Sequence, residues 1–254
     1  MRPLSFIILR LREKRSGWPD ESKRLLRVRE VSVSKSSDGN PFPIVVLISG
    51  SGSNLQSIID HRQDFEPGID ICTVISNNPE AYGLQRASQV GVSTTVINHQ
   101  DYPNRSRYDA ALMTEIDRHQ PMLVVLAGFM RILTTEFVNH YSGRLINIHP
   151  SLLPLYPGLN THQRAIESAD KEAGATVHFV KPEVDAGPII IQARVPVYGT
   201  DSRQQLAARV LAQEHLIYPR AIQWFAQGRL SVRNDKVLLD GNESSKQMVI
   251  SDEI

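Results

Sequence analysis

Pro-Ile-Val-Val-Leu-Ile-Ser-Gly-Ser-Gly-Ser-Asn, residues 43–54, is the stretch of sequence that decides the fold. Its first seven residues form a continuous apolar run typical of a buried strand, and Gly50 to Asn54 form a loop of glycine, serine and asparagine. A helical pattern follows from Leu55 to about Gln63. A strand, a glycine loop and a helix in this order predict the opening unit of a parallel α/β sheet.

Strands and helices continue to alternate up to about residue 150. The predicted strands are Ile69–Ile75, Ser93–Ile97, Met122–Leu126 and Arg144–Ile148, and the predicted helices are Gly83–Val90 and Arg105–His119. This alternation predicts an α/β fold, with a doubly wound, mostly parallel, Rossmann-like sheet covered by helices on both faces. Ligands of such sheets bind beyond the carboxyl ends of the strands, where the glycine loop would lie.

The pattern changes after Gly158. The predicted elements there are a helix over 161–168, strands over 174–181 and 188–197, a long helix over 202–226 and a hairpin over 229–239. The connection between the two strands is short, so we expect them to pair in an antiparallel manner. Residues 43–240 contain no internal repeat and no linker, and we interpret them as a single domain.

Charge is unevenly distributed over the 254 residues. Residues 1–42 contain ten Lys and Arg against five Asp and Glu, whereas the remainder contains 18 against 22. Because the basic segment lacks a clear helical or strand period, we interpret it as an appended, largely disordered extension. The polar residues 241–254 are interpreted as a second flexible tail.

The composition argues against several classes of function. The mildly acidic body is unsuited to nonspecific binding of nucleic acid, which depends on basic surface. No apolar run is long enough to span a bilayer, and a single cysteine, Cys72, excludes an internal disulfide and offers no cluster for a metal ion. We therefore predict a cytoplasmic protein that acts on small molecules.

A second informative stretch runs from Leu145 to Gly158 and reads Leu-Ile-Asn-Ile-His-Pro-Ser-Leu-Leu-Pro-Leu-Tyr-Pro-Gly. Residues two apart in a strand point to the same face, so Asn147 and His149 would place an amide donor beside a titratable ring. The three prolines of the following loop restrict its backbone, so we expect this loop to hold its shape. Such a pair could bind and protonate a carbonyl oxygen. The alternative is a turn residue and a polar strand end.

The glycine loop is a candidate anion site. Backbone N–H groups at the start of the helix would face a phosphate, and Ser51, Ser53 and Asn54 add side-chain donors. The loop lacks the third glycine of a dinucleotide fingerprint, because Leu55 stands at that position, and it lacks the lysine of a nucleotide loop. A tight turn that needs glycine for its conformation alone is the alternative.

Three further polar residues have two interpretations each. Asp185 lies in a turn-rich loop and is either a turn former or a partner of His149, in which case its charge would favour the imidazolium. Glu214 falls within the apolar stripe of the last long helix, so it is expected to be paired or to bind a polar ligand. His178, in the strand Thr-Val-His-Phe-Val, is either a core histidine or part of a site.

These motifs together resemble the glycinamide ribonucleotide formyltransferases of purine biosynthesis. The resemblance covers residues 43–240 and is carried by the glycine loop, the run Leu-Ala-Gly-Phe-Met-Arg-Ile-Leu over 126–133, the motif from Asn147 to Gly158 and the Asp185 loop. It implies transfer of a formyl group from 10-formyltetrahydrofolate to the amino group of 5-phosphoribosylglycinamide by a formyltransferase catalytic domain.

The resemblance also implies a role for individual residues. The catalytic set would be Asn147, His149 and Asp185. The substrate would be bound by Gly52, Ser53, Asn54, Leu211, Ala212, Gln213 and Glu214. The folate donor would be bound by Arg105, Met130, Arg131, Ile132, Leu133, Asn147, Lys181, Pro182, Glu183, Val184 and Asp185. No metal is implied, no nucleic acid or membrane is expected as a partner, and a monomer or a homodimer is expected.

Three other interpretations compete with this one. A methionyl-tRNA formyltransferase would share the Asn, His and Asp set but would need a basic RNA-binding extension. A formyltetrahydrofolate hydrolase would not need a phosphate loop. A non-catalytic phosphate-binding module would explain the glycine loop while leaving Asn147, His149 and Asp185 without a task.

Overall fold

A computed structural model describes residues 31–32 and 41–243 of the chain. Its central sheet has seven strands, which in chain order are β2 Phe42–Ile48, β3 Ile69–Ser76, β4 Thr94–Val96, β5 Leu123–Leu126, β6 Leu145–His149, β7 Glu172–Phe179 and β8 Ile189–Pro196, after a short β1 at Val31–Ser32. The helices are α1 Ser53–His61, α2 Tyr82–Gln89, α3 Arg105–Arg118, α4 Thr135–His140, α5 Thr161–Glu167 and α6 Arg203–Ala226.

The spatial order of the central sheet is β4-β3-β2-β5-β6-β7-β8. Neighbouring strands from β4 to β6 are parallel, whereas β7 runs antiparallel to both β6 and β8. The chain first winds outward from β2 to β4 and then returns to β5 on the other side of β2. The predicted doubly wound sheet with antiparallel strands toward the carboxyl end is therefore confirmed.

Strand β2 shows why both faces of the sheet must be covered. Ile44, Val46 and Ile48 pack in one core cluster with residues of α1 and α6. Val45 and Leu47 point the other way and pack with residues of α3 and α4. All five side chains are fully buried, as expected for a central parallel strand whose successive residues alternate between two helical layers.

Several boundaries differ from the sequence prediction. Helix α1 begins at Ser53 and ends at His61, two residues earlier than predicted at each end. Helix α4 was not predicted, because six residues are too few to display a helical period. The remaining predicted helices and strands are present, with ends that differ by up to two residues.

A second, small sheet has the order β1-β9-β10-β11, with β9 at Leu230–Arg233, β10 at Lys236–Leu239 and β11 at Asn242–Glu243. The predicted hairpin over 229–239 is thus present. Strand β1 pairs with β9. Residues 1–42 were interpreted as lacking regular structure, and Val31–Ser32 are an exception. The rest of that extension, at 1–30 and 33–40, and most of the predicted tail, from 244, lie outside the described residues, and the domain division stays a prediction.

Candidate active site

The sheet brings Asn147 and His149 to one face, as their spacing predicts. In β6 the two residues alternate with Ile146 and Ile148, which belong to the core cluster beneath. On the antiparallel neighbour β7, His178 lies opposite Asn147 and Thr176 lies opposite His149. Directly opposed residues of an antiparallel pair point to the same side, so four polar side chains share this face.

Asp185 completes the group that the sequence predicted. Its Oδ2 lies 3.4 Å from His149 Nδ1 and accepts a hydrogen bond of 2.8 Å from the Gly158 N–H. The backbone of Asp185 is left-handed, with φ +52°, a conformation that aspartate tolerates better than most residues. Asp185 is therefore both a turn former and a partner of His149, so its two interpretations hold together.

The second nitrogen of His149 also faces an oxygen. His149 Nε2 lies 2.9 Å from the backbone carbonyl oxygen of Tyr156, which can only accept. With a carboxylate near Nδ1 and a carbonyl at Nε2, the ring sits between two acceptors. This arrangement suits an imidazolium, which donates from both nitrogens.

His178 is buried beside Asn147, so it is a satisfied core histidine that also contacts a residue of the predicted site. Its Nδ1 lies 2.8 Å from the Phe179 carbonyl oxygen, so Nδ1 carries the proton and Nε2 is left as an acceptor. Asn147 Nδ2 donates to that Nε2 at 3.2 Å, which orients the amide of Asn147. Burial lowers the pKa of His178 and so favours this neutral form. We call Asn147, His149, His178 and Asp185 the His149 cluster.

The proline loop after β6 is held by two residues that sequence reasoning did not select. Thr176 Oγ1 donates to the Ser151 carbonyl oxygen at 2.6 Å and accepts from the Leu153 N–H at 3.1 Å. Gln192 Nε2 donates to the Leu153 carbonyl oxygen at 2.8 Å. These bonds satisfy backbone groups of the buried residues Ser151 and Leu153 and fix the loop next to His149. No local pattern marks Thr176 and Gln192, because their partners are 23 to 39 residues away.

The glycine loop has a steric as well as an electrostatic reason for its glycines. Gly52 precedes α1 with φ +71°, and a Cβ there would lie 2.5 Å from the Cα of Gly83 in α2. The described structure gives α1 no side-chain cap, so the N–H groups of its first turn remain available to a ligand. The tight-turn interpretation and the anion-site interpretation are thus compatible.

The side chain of Asn54 makes a different contact from the one predicted. Asn54 was expected to offer a side-chain donor to a phosphate, but its Nδ2 donates to Glu214 Oε2 at 2.6 Å, and both residues are buried. The first-turn N–H of Asn54 is still positioned to meet an anion. Glu214 is paired, as one of its two interpretations required, and burial raises the pKa of its carboxyl group.

Arg86 supplies a positive charge that sequence reasoning missed. Its Nε donates to the Ser51 carbonyl oxygen at 2.9 Å, and a terminal nitrogen donates to Gln56 Oε1 at 3.1 Å. In the described part of the chain no carboxylate lies within 4.0 Å of the Arg86 guanidinium, so its charge is not neutralised beside the loop. Gly83 and Arg86 are one helical turn apart and so lie on the same face of α2. Only the fold, however, shows that this face packs against the glycine loop.

The segments predicted to bind the folate are partly exposed. Met130 and Ile132 keep 65% and 62% of their surface exposed, and Val184 keeps 53%, although large apolar side chains are usually buried. The Met130 N–H donates to Ser49 Oγ at 2.8 Å, which fixes this segment to the end of β2.

Other members of the predicted folate set lie differently. Leu133 is buried in the core cluster that contains Phe137, and Lys181 forms an ion pair of 2.6 Å with Asp235 of the terminal hairpin. Arg105 is exposed and is the first residue of α3. The guanidinium carbon of Arg131 lies over the Tyr108 ring, 5.9 Å from the ring centroid. The described residues contain no group of three His, Cys, Asp or Glu placed to hold a metal ion.

Within residues 31–32 and 41–243, no helix combines the length and the apolar character needed to cross a membrane.

Comparison with known proteins identifies the class to which this fold and site belong. Residues 43–222 match the family described as formyl transferase. The chain is 51% identical over 210 residues to phosphoribosylglycinamide formyltransferase of Escherichia coli strain K12, a match that covers 83% of this chain and 99% of that protein. The chain therefore belongs to the formyl transferase family and is an enzyme of the transferase class.

Further comparisons place it more narrowly within the family. The solved structure of phosphoribosylglycinamide formyltransferase from Coxiella burnetii superposes with a TM-score of 0.78 at 50% identity and covers 84% of this chain and 99% of that one. A trifunctional purine biosynthetic protein of Drosophila melanogaster is 48% identical over 187 residues, which are 73% of this chain and 14% of that protein. The chain thus groups with the phosphoribosylglycinamide formyltransferases.

Proposed function

We propose that this enzyme transfers the formyl group of 10-formyltetrahydrofolate to the amino group of 5-phosphoribosylglycinamide, a step of de novo purine (IMP) biosynthesis. The observation that carries the proposal is the convergence of Asn147, His149 and Asp185 on one face of the sheet. The identity to relatives that bear this name supports the choice of substrate.

The reaction requires the protein to stabilise negative charge and to deliver a proton. When the amine attacks the formyl carbon, negative charge grows on the formyl oxygen, and the leaving folate nitrogen needs a proton. The free N–H of the Asn147 amide and the imidazolium of His149 stabilise the oxygen. One N–H of His149 shifts from its protein acceptor to the substrate or to a bridging water and delivers the proton, and the attacking amine returns a proton to the ring; such proton transfer contributes roughly 10² to 10⁴ in rate.

Asp185 acts on the reaction through His149. Its carboxylate lies 3.4 Å from Nδ1, where it can accept from the ring N–H and fix the ring plane. The bond from the Gly158 N–H keeps the carboxylate in place. No step of this scheme calls for a metal ion, since the side chains supply both charge stabilisation and the proton.

The phosphoribosyl end of the substrate would meet Gly52, Ser53 and Asn54 on one side. The positive end of α1, together with the charge of Arg86, suits a phosphate. The segment of α6 from Leu211 to Glu214 would meet the ribosylglycinamide part, with the Glu214 carboxylate as acceptor for hydroxyl or amide protons.

The folate would lie between the segment 130–133 and the loop 181–185. The exposed apolar side chains of Met130, Ile132 and Val184 fit a planar aromatic ring system, which gains from contact with apolar surface. Arg105 is available to a carboxylate of the donor. The donor contributes the formyl group, and the protein contributes orientation and proton transfer.

We further infer a cytoplasmic enzyme that acts as a monomer or a homodimer, with residues 43–240 as its catalytic domain and residues 1–42 as an appended extension. The acidic balance of residues 43–254 argues against RNA as a partner, which a methionyl-tRNA formyltransferase would require.

The test is an assay of the purified protein with 10-formyltetrahydrofolate, in which formation of tetrahydrofolate is followed with and without phosphoribosylglycinamide. We expect turnover that depends on this acceptor and yields one formylated product for each folate released. Equal rates without the acceptor would indicate a hydrolase, and turnover only with methionyl-tRNA would indicate the tRNA enzyme. A His149→Ala variant serves as the control for contaminating activity.

A further inference from the structure

We propose that Asn54 is a positioning residue, which holds the Glu214 carboxylate toward the ribosyl end of the substrate and so joins the two halves of the substrate site. The inference deepens the proposed function and rests on it. It assigns the side chain of Asn54 a task different from the phosphate contact that the sequence predicts.

The contact between the two residues is short and buried. Asn54 is the second residue of α1 and Glu214 lies near the middle of α6, 160 positions further along the chain. Asn54 Nδ2 donates to Glu214 Oε2 at 2.6 Å, and the residues are 8% and 7% exposed. A hydrogen bond from an amide to a carboxylate in such surroundings is strong enough to fix both side chains.

No cation shares this task. In the described part of the chain no Lys, Arg or His nitrogen lies within 4.0 Å of the Glu214 carboxylate. Burial raises the pKa of Glu214, and the hydrogen bond from Asn54 offsets only part of that rise. A carboxylate that is buried without a cation is costly for folding, so its presence beside the glycine loop points to a ligand that it binds.

The other atom of the Asn54 amide supports the same conclusion. Asn54 Oδ1 is buried and has no hydrogen-bond partner among the described residues. Leaving a carbonyl oxygen unsatisfied is unfavourable, yet this orientation is the one that aims the N–H at the carboxylate. The side chain is therefore committed to Glu214, while the backbone N–H of the same residue remains in the first turn of α1.

Because its backbone and its side chain have different roles, one residue can couple the binding of both ends of a phosphoribosyl group. The backbone of Asn54 belongs to the loop that would meet the phosphate, and its side chain fixes the acceptor that would meet the ribose. The phosphate and the ribose of the substrate are covalently joined, so a site that keeps the phosphate contact and the ribose contact at a fixed separation binds the substrate more tightly.

A pH effect follows from the same contact. Without the Asn54 donor, burial acts unopposed on Glu214, so the carboxyl group keeps its proton to a higher pH. The Tyr218 hydroxyl of α6 is the other titratable group that interacts with Glu214, and its pKa is raised well above the ordinary value, so it stays neutral in the assay range. No charged side chain from α1, α5, β7 or β8 acts on Glu214 in the described structure.

The experiment measures the KM for phosphoribosylglycinamide from pH 5.5 to 8.5 in the full chain and in Asn54→Ala, Glu214→Gln and the double variant. We expect Asn54→Ala to raise this KM roughly tenfold or more while kcat and the folate KM change little. We also expect the rise of KM in acid to begin at a higher pH in Asn54→Ala. Glu214→Gln should abolish that pH dependence, and adding Asn54→Ala to it should change KM by less than about twofold.

Ser57→Ala is the matched control. Ser57 is buried in the same helix and donates a 3.0 Å bond to the Asn54 carbonyl oxygen, but it does not contact Glu214. It should leave KM and its pH profile unchanged. If Asn54→Ala raised KM by the same factor in the wild-type background and in the Glu214→Gln background, or not at all, the positioning role would be refuted.

Two further readouts separate the possible failures. Should Asn54→Ala unfold, Asn54→Ser, which keeps a shorter donor, is expected to show the same shift of the pH profile in weaker form, and an unshifted profile would count against the proposal. A wild-type protein that failed to formylate phosphoribosylglycinamide would instead overturn the proposed function.

Discussion

At the glycine loop the groups proposed to face a ligand are backbone N–H groups, whereas at the His149 cluster they are side chains from two strands and a loop. The loop is shaped by the contact between Gly52 and Gly83 and by the start of α1. The cluster is shaped by strand pairing and by Asp185 reaching back to His149. Backbone sites depend on steric fit, and side-chain sites depend on protonation and orientation, so substitutions should damage the two regions in different ways.

The largest effect is expected at the cluster. In the proposed mechanism His149→Ala removes the proton donor and Asp185→Ala removes the carboxylate that orients it, so each variant should lower kcat by about 10² to 10⁴. Initial rates of tetrahydrofolate formation at saturating substrates measure this change. Near-native thermal unfolding would show that the loss is chemical, while a kcat within about threefold of the wild type would contradict the assigned roles.

Gly52→Ala tests the steric side of the comparison and should have the next largest effect. The added Cβ would lie 2.5 Å from the Gly83 Cα, a backbone atom that cannot turn aside, and alanine disfavours φ +71°. We expect the free energy of unfolding to fall by about 2 kcal/mol or more. Urea denaturation measures it.

Gly50→Ala is the control within the same loop. A Cβ on Gly50 meets no atom within 4 Å, and its φ lies outside the left-handed range. Its stability should change by less than about 0.5 kcal/mol. Equal destabilisation by both substitutions would mean that the loop needs glycine for flexibility and not for the approach to α2.

Arg86→Ala tests whether the loop depends on a side-chain charge as well as on its backbone. Loss of the guanidinium removes positive charge and the bond to the Ser51 carbonyl, so the KM for the phosphorylated substrate should rise roughly three- to tenfold with kcat nearly unchanged. Steady-state kinetics at low and high salt measure the effect. Arg86→Lys should restore part of it, and an unchanged KM would assign the loop to backbone groups alone.

The same contrast explains what the sequence could predict. The β2 strand, the glycine loop and the Asn147–His149 pair are local patterns, because period and spacing within a few residues specify them. The sequence also marked Asp185 and Glu214 but left two interpretations open for each, and the resemblance to a known family added their roles, because their partners are distant in the chain. The contacts of Asn54 with Glu214 and of Asn147 with His178 join positions 160 and 31 residues apart, so no local pattern could have predicted them.

His178 offers a smaller effect that is specific to pH. Burial lowers the pKa of His178 in the folded state, so below about pH 6.5 the unfolded chain binds a proton that the folded chain refuses, and stability falls as pH falls. His178→Gln keeps an acceptor for Asn147 but does not titrate. The loss of unfolding free energy between pH 8 and pH 5 should therefore be smaller in the variant, with a limiting slope of about 1.4 kcal/mol per pH unit for one proton.

Denaturation curves at several pH values measure this difference. His162 and His215 also have pKa values lowered mainly by burial, so the variant should keep part of the dependence. An identical dependence in both proteins would mean that His178 is charged in the folded state, and the orientation assigned to the Asn147 amide would then be wrong.

Lys181→Ala should have the smallest effect and sharpens the boundary of the folate region. Lys181 was expected among the folate residues, but its Nζ pairs with Asp235, which is 72% exposed, on the terminal hairpin. An exposed ion pair contributes about 0 to 1 kcal/mol, so we expect a minor loss of stability and an unchanged folate KM. Asp235→Ala, which removes only the partner, should match it in both measurements. A folate KM that rises in Lys181→Ala but not in Asp235→Ala would return Lys181 to the folate site, because the ammonium would then act on the ligand and not on the hairpin.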